Sequence, residues 1–270
     1  MSAVRPAAVA GMFYPETPST LAADVRAYLA KVAVPGKDAA RPKALIVPHA
    51  GYVYSGPIAA AAYKRLAAQA DVIRRVVLFG PTHRVAVQGL ALPSAQSFAT
   101  PLGIVDVDAA AAAQALTLPQ VCKSDAAHAL EHCLEVQLPF LQTVLRSFHI
   151  VPFAVGDATG AQVAEVIEML WNGAETLIVV SSDLSHYHRY SEARALDRAT
   201  ADAVLGLSAT LHGEQACGAT PINGLLLAAR RRGLQPELID LRNSGDTAGD
   251  KSRVVGYASF AFSEVARDRT

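Results

Sequence analysis

Cysteine is scarce in this 270-residue chain: Cys122, Cys133 and Cys217 are an odd number, and no two form a Cys-x-x-Cys pair. That argues against a disulfide framework and against a structural zinc knuckle, and it suits a reducing, cytoplasmic location. Net charge is lacking as well. Lys plus Arg and Asp plus Glu both number 24, so no overall field draws in nucleic acid or an anionic membrane. The run Arg230, Arg231, Arg232 reads as the cationic end of a helix. No apolar stretch reaches the roughly 20 residues of a membrane helix. The opening MSAVRPAAVAGMFYP is broken by Arg5, Pro6 and Pro15 before a secretory signal could develop. The dinucleotide Gly-x-Gly-x-x-Gly, the P-loop and the Gly-x-Ser-x-Gly elbow are missing; Ser181-Ser182 has no elbow glycines around it.

What is present is apolar and alternating. Hydrophobic residues make up 51% of the chain and mean hydropathy is +0.24, ample for one large core, so residues 1–270 are read as a single domain. Thr17-Pro18 opens a helix with Leu21, Val25 and Leu29 at helical spacing. A strand ends at Pro48, followed by a Gly/Tyr loop (Gly51, Tyr52, Tyr54, Gly56) and an alanine-rich helix to about Gln69. Further strands are expected at 76–79, GLALP, GIVDVD, 150–155, 177–180, 238–241 and 254–262. Helices are expected at 109–116 behind Asp108, 162–171, 191–207 and from Thr220-Pro221 to Gly233. One long helix is expected from Ser124-Asp125 past Pro139, with a kink there. The alternation gives an α/β class with a mostly parallel or mixed central sheet flanked by helices.

Three apolar runs stop at a histidine: ALIVPHAG at His49, VVLFGPTH at His83 and LIVVSSDLSH at His186. Sites in open α/β sheets gather at the C-terminal ends of strands, and imidazole is a common transition-metal ligand. His49 and His83 are therefore metal-ligand candidates. Asp183, three residues before His186, is placed to orient that imidazole as a general acid/base. His188 is read as merely exposed. Cys217 stands just before a helix N-terminus, where a thiol is acidified and can bind metal; the plainer reading is a small buried hydrophobe. A second pattern, HALEH, places His128, Glu131, His132 and then Glu135 opposite Leu130, Leu134, Leu138 and Leu141 on the expected long helix. It matches the H-x-x-E-H arrangement of inverted zinc peptidases, or else is simply a solvated or pocket-lining face.

PAVAGMFYP, PHAGYVYSGPIAA, GPTH, TPLGIVDVD, EHCLEVQLPFLQ, VSSDLSHY, CGATPINGLL and GDKSRVVGYASFAF, in this order, resemble the Memo (mediator of cell motility) family over nearly the whole chain. Bacterial and archaeal members form the B component of a system that includes a radical-SAM protein. The resemblance implies the fold of class III extradiol dioxygenases, with His49, His83 and Cys217 at the proposed metal positions. It also implies that Asp183 and His186 line the same pocket. Iron is the first metal expected, then copper or zinc, since a thiolate in place of a carboxylate is softer. The function expected is a metal-dependent oxidoreductase on an unknown small substrate, with Tyr52, Tyr54 and Glu135 as pocket residues and radical-SAM system proteins as partners. Two other readings stand beside it: a non-catalytic module binding a peptide or protein in the same cleft, and a metal-dependent hydrolase built on HALEH.

Overall fold

Successive residues of a strand face opposite sides, and the apolar runs of this chain are apolar on both, so each needs a helical layer above and below it. The computed structural model, which describes residues 3–34, 36 and 39–264, supplies both layers. In its first half are β1 (Val4–Arg5), α1 (Pro18–Ala30), β2 (Pro42–Val47), α2 (Tyr52–Lys64), β3 (Arg75–Pro81) and β4 (Leu90–Leu92). There follow β5 (Ser97–Thr100), β6 (Gly103–Asp106), α3 (Ala109–Ala115), β7 (Val121–Lys123), α4 (Asp125–Ala129) and α5 (Leu138–Val144). Then come β8 (His149–Val155), α6 (Gly160–Met169), β9 (Thr176–Ser181), β10 (His186–His188) and α7 (Tyr190–Leu205). The chain continues with α8 (Ala219–Arg232), β11 (Leu234–Asn243), α9 (Ser244–Thr247) and β12 (Val254–Glu264).

The main sheet runs β10-β12-β2-β9-β3-β8-β4-β7, with β11 on β12. Its centre, β2-β9-β3-β8, is parallel, while β12 is antiparallel to β2 and β4 to β8, so the sheet is mixed. One face packs Ile46, Phe79, Ile178 and Val180 against α6 and α8 through Val163, Ile167 and Leu225. The other packs Leu45, Val47, Leu78 and Val179 against Leu21 of α1, Ala59 of α2 and Leu141 of α5. Phe79 and Phe153, register partners on β3 and β8, stack with centroids 5.0 Å apart; truncating either would cost about 3–5 kcal/mol. A small sheet, β1-β5-β6, ties the N-terminal segment to the rest.

Several local expectations hold. Asp108 caps α3 by accepting from Ala111 N at 2.9 Å, and Gly233 closes α8 with φ 68°. Others do not. The Gly/Tyr loop is mostly helix: α2 begins at Tyr52, and Gly56 lies within it because the Tyr28 ring is 2.9 Å from where a Cβ would sit. The turn-rich NSGDTAGD contains the short helix α9.

The long helix from Ser124 is the largest departure. It stops at Ala129, leaves helical geometry at Leu130 (φ −118°), makes one 3-10 turn over Glu135–Gln137 and restarts as α5. Pro139 therefore falls in a first turn, where its missing N–H costs nothing. The helical ladder is replaced by side chains. Arg5 donates through Nε to His128 O at 3.0 Å and through Nη2 to Glu131 O at 2.5 Å, and the amides of His132 and Cys133 donate to the Glu131 carboxylate.

This irregular segment presses directly on β3. An alanine Cβ at Gly80 would lie 2.5 Å from Cys133 Sγ and 3.0 Å from Leu134 Cδ2. Gly80→Ala is expected to destabilise by about 1–3 kcal/mol. Adding Cys133→Ala should recover most of the loss, a coupling that urea unfolding of the double-mutant cycle measures. Simple additivity would show that the contact is not what makes glycine necessary.

Candidate metal centre at the sheet edge

β2, β3 and β9 lie side by side and parallel, and two residues beyond their ends stand His49, His83 and Asp183. The His49 amide donates to Asp183 Oδ1 at 2.7 Å, which fastens the first and third of these loops together. The His49 ring is buried, and its Nδ1 is 3.0 Å from Ser181 Oγ. Ser181 gives its single hydroxyl proton to Cys133 O at 2.7 Å, so toward His49 it must accept. Nδ1 of His49 therefore carries the proton and Nε2 is a bare lone pair.

His83 is fixed in the same sense by a different group. Its amide donates to Glu131 Oε2 at 2.7 Å, and its Nδ1 lies 2.9 Å from Glu131 Oε1. Burial raises the Glu131 pKa, but the hydrogen bonds from the ring and amide of His83 and from the Cys133 amide outweigh it and hold the carboxyl well below its ordinary value. An ionised carboxylate only accepts, so His83 also protonates Nδ1 and leaves Nε2 free. Glu131 Oε1 is 3.2 Å from Nδ1 of His132 as well. The three rings then gather: His49 to His83 is 5.1 Å between centroids, His83 to His132 is 4.6 Å and His49 to His132 is 5.3 Å. One donor atom from each lies within 4.8 Å of the other two. A second such group, His83, Glu131 and Cys133, is engaged internally, since Cys133 Sγ donates to Pro81 O at 3.2 Å.

Cys217 reaches this cluster at one point: its Sγ is 3.3 Å from His49 Nε2, but it falls outside the mutually close set. Its place before the N-cap of α8 does not acidify it. Burial, then the Asp183 charge, pushes the thiol up to about 12, and the Gly218 amide at the helix end donates to Ser182 Oγ at 2.9 Å. A cavity of about 310 Å³ opens beside Cys217, lined also by Pro81, Thr82, Gly156 and Thr220.

The remaining expected residues are distributed unevenly. Asp183 is buried, its pKa raised by that burial, but it bonds the His49 amide, and among the described residues no hydrogen bond joins it to His186. His186 sits half-buried on β10 beside Tyr187, whose φ of 63° is left-handed. His188 is half-buried and lies 3.2 Å from Glu192. Tyr52 and Glu135 are not free pocket groups. Tyr52 is buried and donates to Val136 O at 2.6 Å. Glu135 is fully buried, paired with Arg5, and accepts from Tyr14 and from the amides of Ala8 and Val9. Tyr54 is 38% exposed.

The HALEH residues also part company. His128 is buried, donates from Nε2 to Ala91 O at 2.9 Å and joins neither donor group, so the H-x-x-E-H ligand set is not assembled. Glu131 and His132, read from sequence only as parts of that pattern, belong to the strand-end cluster instead. The usable signal was their adjacency to Cys133, three polar donors in succession between leucines.

Imidazoles gathered beside a thiol are a donor set for zinc, copper or iron rather than for magnesium or calcium. Over residues 5–261 the chain matches the family model described as Memo-like protein. A MEMO1 family protein of Aquifex aeolicus is 35% identical over 96% of this chain and 99% of its own length. One from Archaeoglobus fulgidus is 37% identical over 94% and 97%. The crystal structure of an uncharacterised Escherichia coli protein superposes with a TM-score of 0.54 at 12% identity, covering 82% of this chain and 99% of that one; the likeness is one of fold.

The buried histidines make the metal-free protein acid-sensitive. Burial lowers His49 to about 3, and His128 and His132 to about 4. The unfolded chain binds these protons near 6.5, so stability is present above that pH and is lost as pH falls toward 4. Asp183 and Asp197, raised by burial, offset part of this. His128→Gln should flatten the unfolding free energy against pH by up to one proton, about 1.4 kcal/mol per pH unit. An unchanged slope in denaturant titrations would show that His128 titrates normally in the fold.

Proposed function

This chain belongs to the Memo family, and from the donor set at its sheet edge we propose that it is a metal-dependent oxidoreductase acting on a small substrate. Iron is the assigned metal, with copper next and zinc third. The observation that carries this reading is the fixed tautomer of two neighbouring histidines: Ser181 and Glu131 occupy the Nδ1 atoms of His49 and His83, and both Nε2 lone pairs remain for a cation. Cys217, carried over from the family resemblance and 3.3 Å from His49 Nε2, is the third ligand in this reading.

When bound, the metal supplies Lewis acidity and one-electron chemistry. The protein does the rest. Asp183 holds the His49 loop in place by its amide and keeps a raised affinity for a proton at its carboxyl. His186 follows Asp183 by three residues at the start of β10, and an imidazole there is suited to hold and return a substrate proton. The cavity beside Cys217 has room for a small molecule, and Thr82, Gln88, Asp157 and Thr220 in its lining offer polar groups to one.

A second reading is favoured by one observation. Met12, Val53 and Tyr187 are 72%, 58% and 62% exposed, and Met12 precedes Phe13, whose ring lies 4.7 Å from that of His132. Such apolar exposure beside a site suits contact with a peptide or protein.

Anaerobically purified protein is expected to hold about one equivalent of metal, and His49→Ala/His83→Ala at least about tenfold less. Stoichiometric metal in the double variant would remove the site. Metal-dependent oxygen uptake with an added reductant separates the two readings, since a binding module shows none and keeps partner binding in the metal-free variant.

A further inference from the structure

His49 and the three potential donors around it, His83, His132 and Cys217, are one more than the three ligands just assigned, and they do not form one equidistant set. The Nε2 of His49 and the sulfur of Cys217 are 3.3 Å apart. Ligands about 2.0–2.3 Å from a shared tetrahedral ion stand roughly 3.3–3.6 Å from each other, so this pair is already at the spacing one ion requires. On the other side, His49, His83 and His132 offer donors within 4.8 Å of one another. Drawing that triangle in to the same spacing takes movements of about 1 Å or a little more, which side-chain torsions supply without moving backbone.

His132 is not there by accident of packing alone. Its amide is bonded to the carboxylate that fixes His83, at 2.9 Å, and its Nδ1 is 3.2 Å from that same oxygen. Its ring is stacked on His83 at 30° and held from outside by Phe13. Glu131 thus presents two imidazoles from one carboxylate, both with Nδ1 toward it and Nε2 away from it.

We propose that His49 and His83 hold the metal in common while His132 and Cys217 are alternative further donors, one giving an all-nitrogen set and the other a nitrogen-sulfur set. This rests on the metal reading above and deepens it. The two sets differ in softness: thiolate favours copper(I) and zinc, whereas three imidazoles serve iron and copper(II) as well. His132 keeps the ion in place when the sulfur is not coordinated. The site therefore tolerates a change of metal, or of its oxidation state, without release.

Cobalt(II) is the probe, because a sulfur-to-cobalt charge-transfer band reports the Cys217 bond and chelator competition reports affinity. Wild type is expected to bind one cobalt with the sulfur band. Cys217→Ser should still bind one, without the band and about 10–100-fold more weakly. His132→Phe should keep the band and an affinity close to wild type, since the sulfur is still available, whereas the double variant should bind at least about tenfold more weakly than Cys217→Ser alone. His132→Asn, which keeps a polar group against Glu131, is read in the same way if the Phe variant does not fold. An affinity in Cys217→Ser/His132→Phe and Cys217→Ser/His132→Asn equal to that of Cys217→Ser alone would make His132 a bystander and overturn the proposal. So would complete loss of cobalt in Cys217→Ser, or a wild-type complex lacking the sulfur band. Failure of the underlying metal reading looks different: wild type binds no cobalt, or His49→Ala/His83→Ala binds it unchanged.

Discussion

The Glu131 carboxylate is 2% exposed, yet ionised, and it accepts from the amides of His83, His132 and Cys133 and from the Nδ1 of His83. Burying a bare carboxylate costs several kcal/mol, and hydrogen bonds to a charge return about 1.5–3 kcal/mol each, so four of them are enough. The same bonds settle three matters together. They stop α4 from running on into α5, they join the irregular segment to the end of β3, and they set the proton of an imidazole that faces the cluster. Arg5 completes the arrangement from the other side by taking the carbonyls of His128 and Glu131 that a continuous helix would have used.

This dependence explains what could be read from the sequence and what could not. His49 and His83 were legible because a buried parallel strand is short, apolar and sharply ended, and the residue just past it has a known place in such folds. The HALEH segment was misread because its spacing fits a helix, while the groups that break the helix, Arg5 and His83, lie 126 and 48 residues away from Glu131. Periodicity is local and those partners are not. Tyr52 and Glu135 looked like pocket residues because polar atoms near a site usually are; here they brace the wall by bonding to Val136 and to the N-terminal segment. The acidic thiol expected of Cys217 failed for a similar reason. The Asp183 and Gly218 amides do pull the thiol down, but burial and the Asp183 charge outweigh them.

The family and the fold constrain the chemistry to different degrees. The family match covers residues 5–261 and so includes the strand-end histidines, the Glu131 segment and Cys217. The fold likeness at 12% identity extends over 82% of this chain but carries no information about donors, because a sheet edge accepts whatever side chains its loops present. What distinguishes this edge is that its imidazoles are oriented from behind, by a serine and a carboxylate, before any ligand arrives.

The bonds that gather the site span long stretches of chain: Arg5 reaches Glu135 across 130 residues and Cys217 meets His49 across 168. During synthesis the parts emerge far apart in time. An unfinished chain that has exposed His49, His83 and His132 still lacks Cys217, and it lacks β9 as well, whose Ser181 fixes the His49 tautomer. Ribosome-bound intermediates thus present scattered imidazoles rather than an ordered chelate, and loop closure over such separations comes late. The donor cluster is therefore complete only in the fully wound polypeptide.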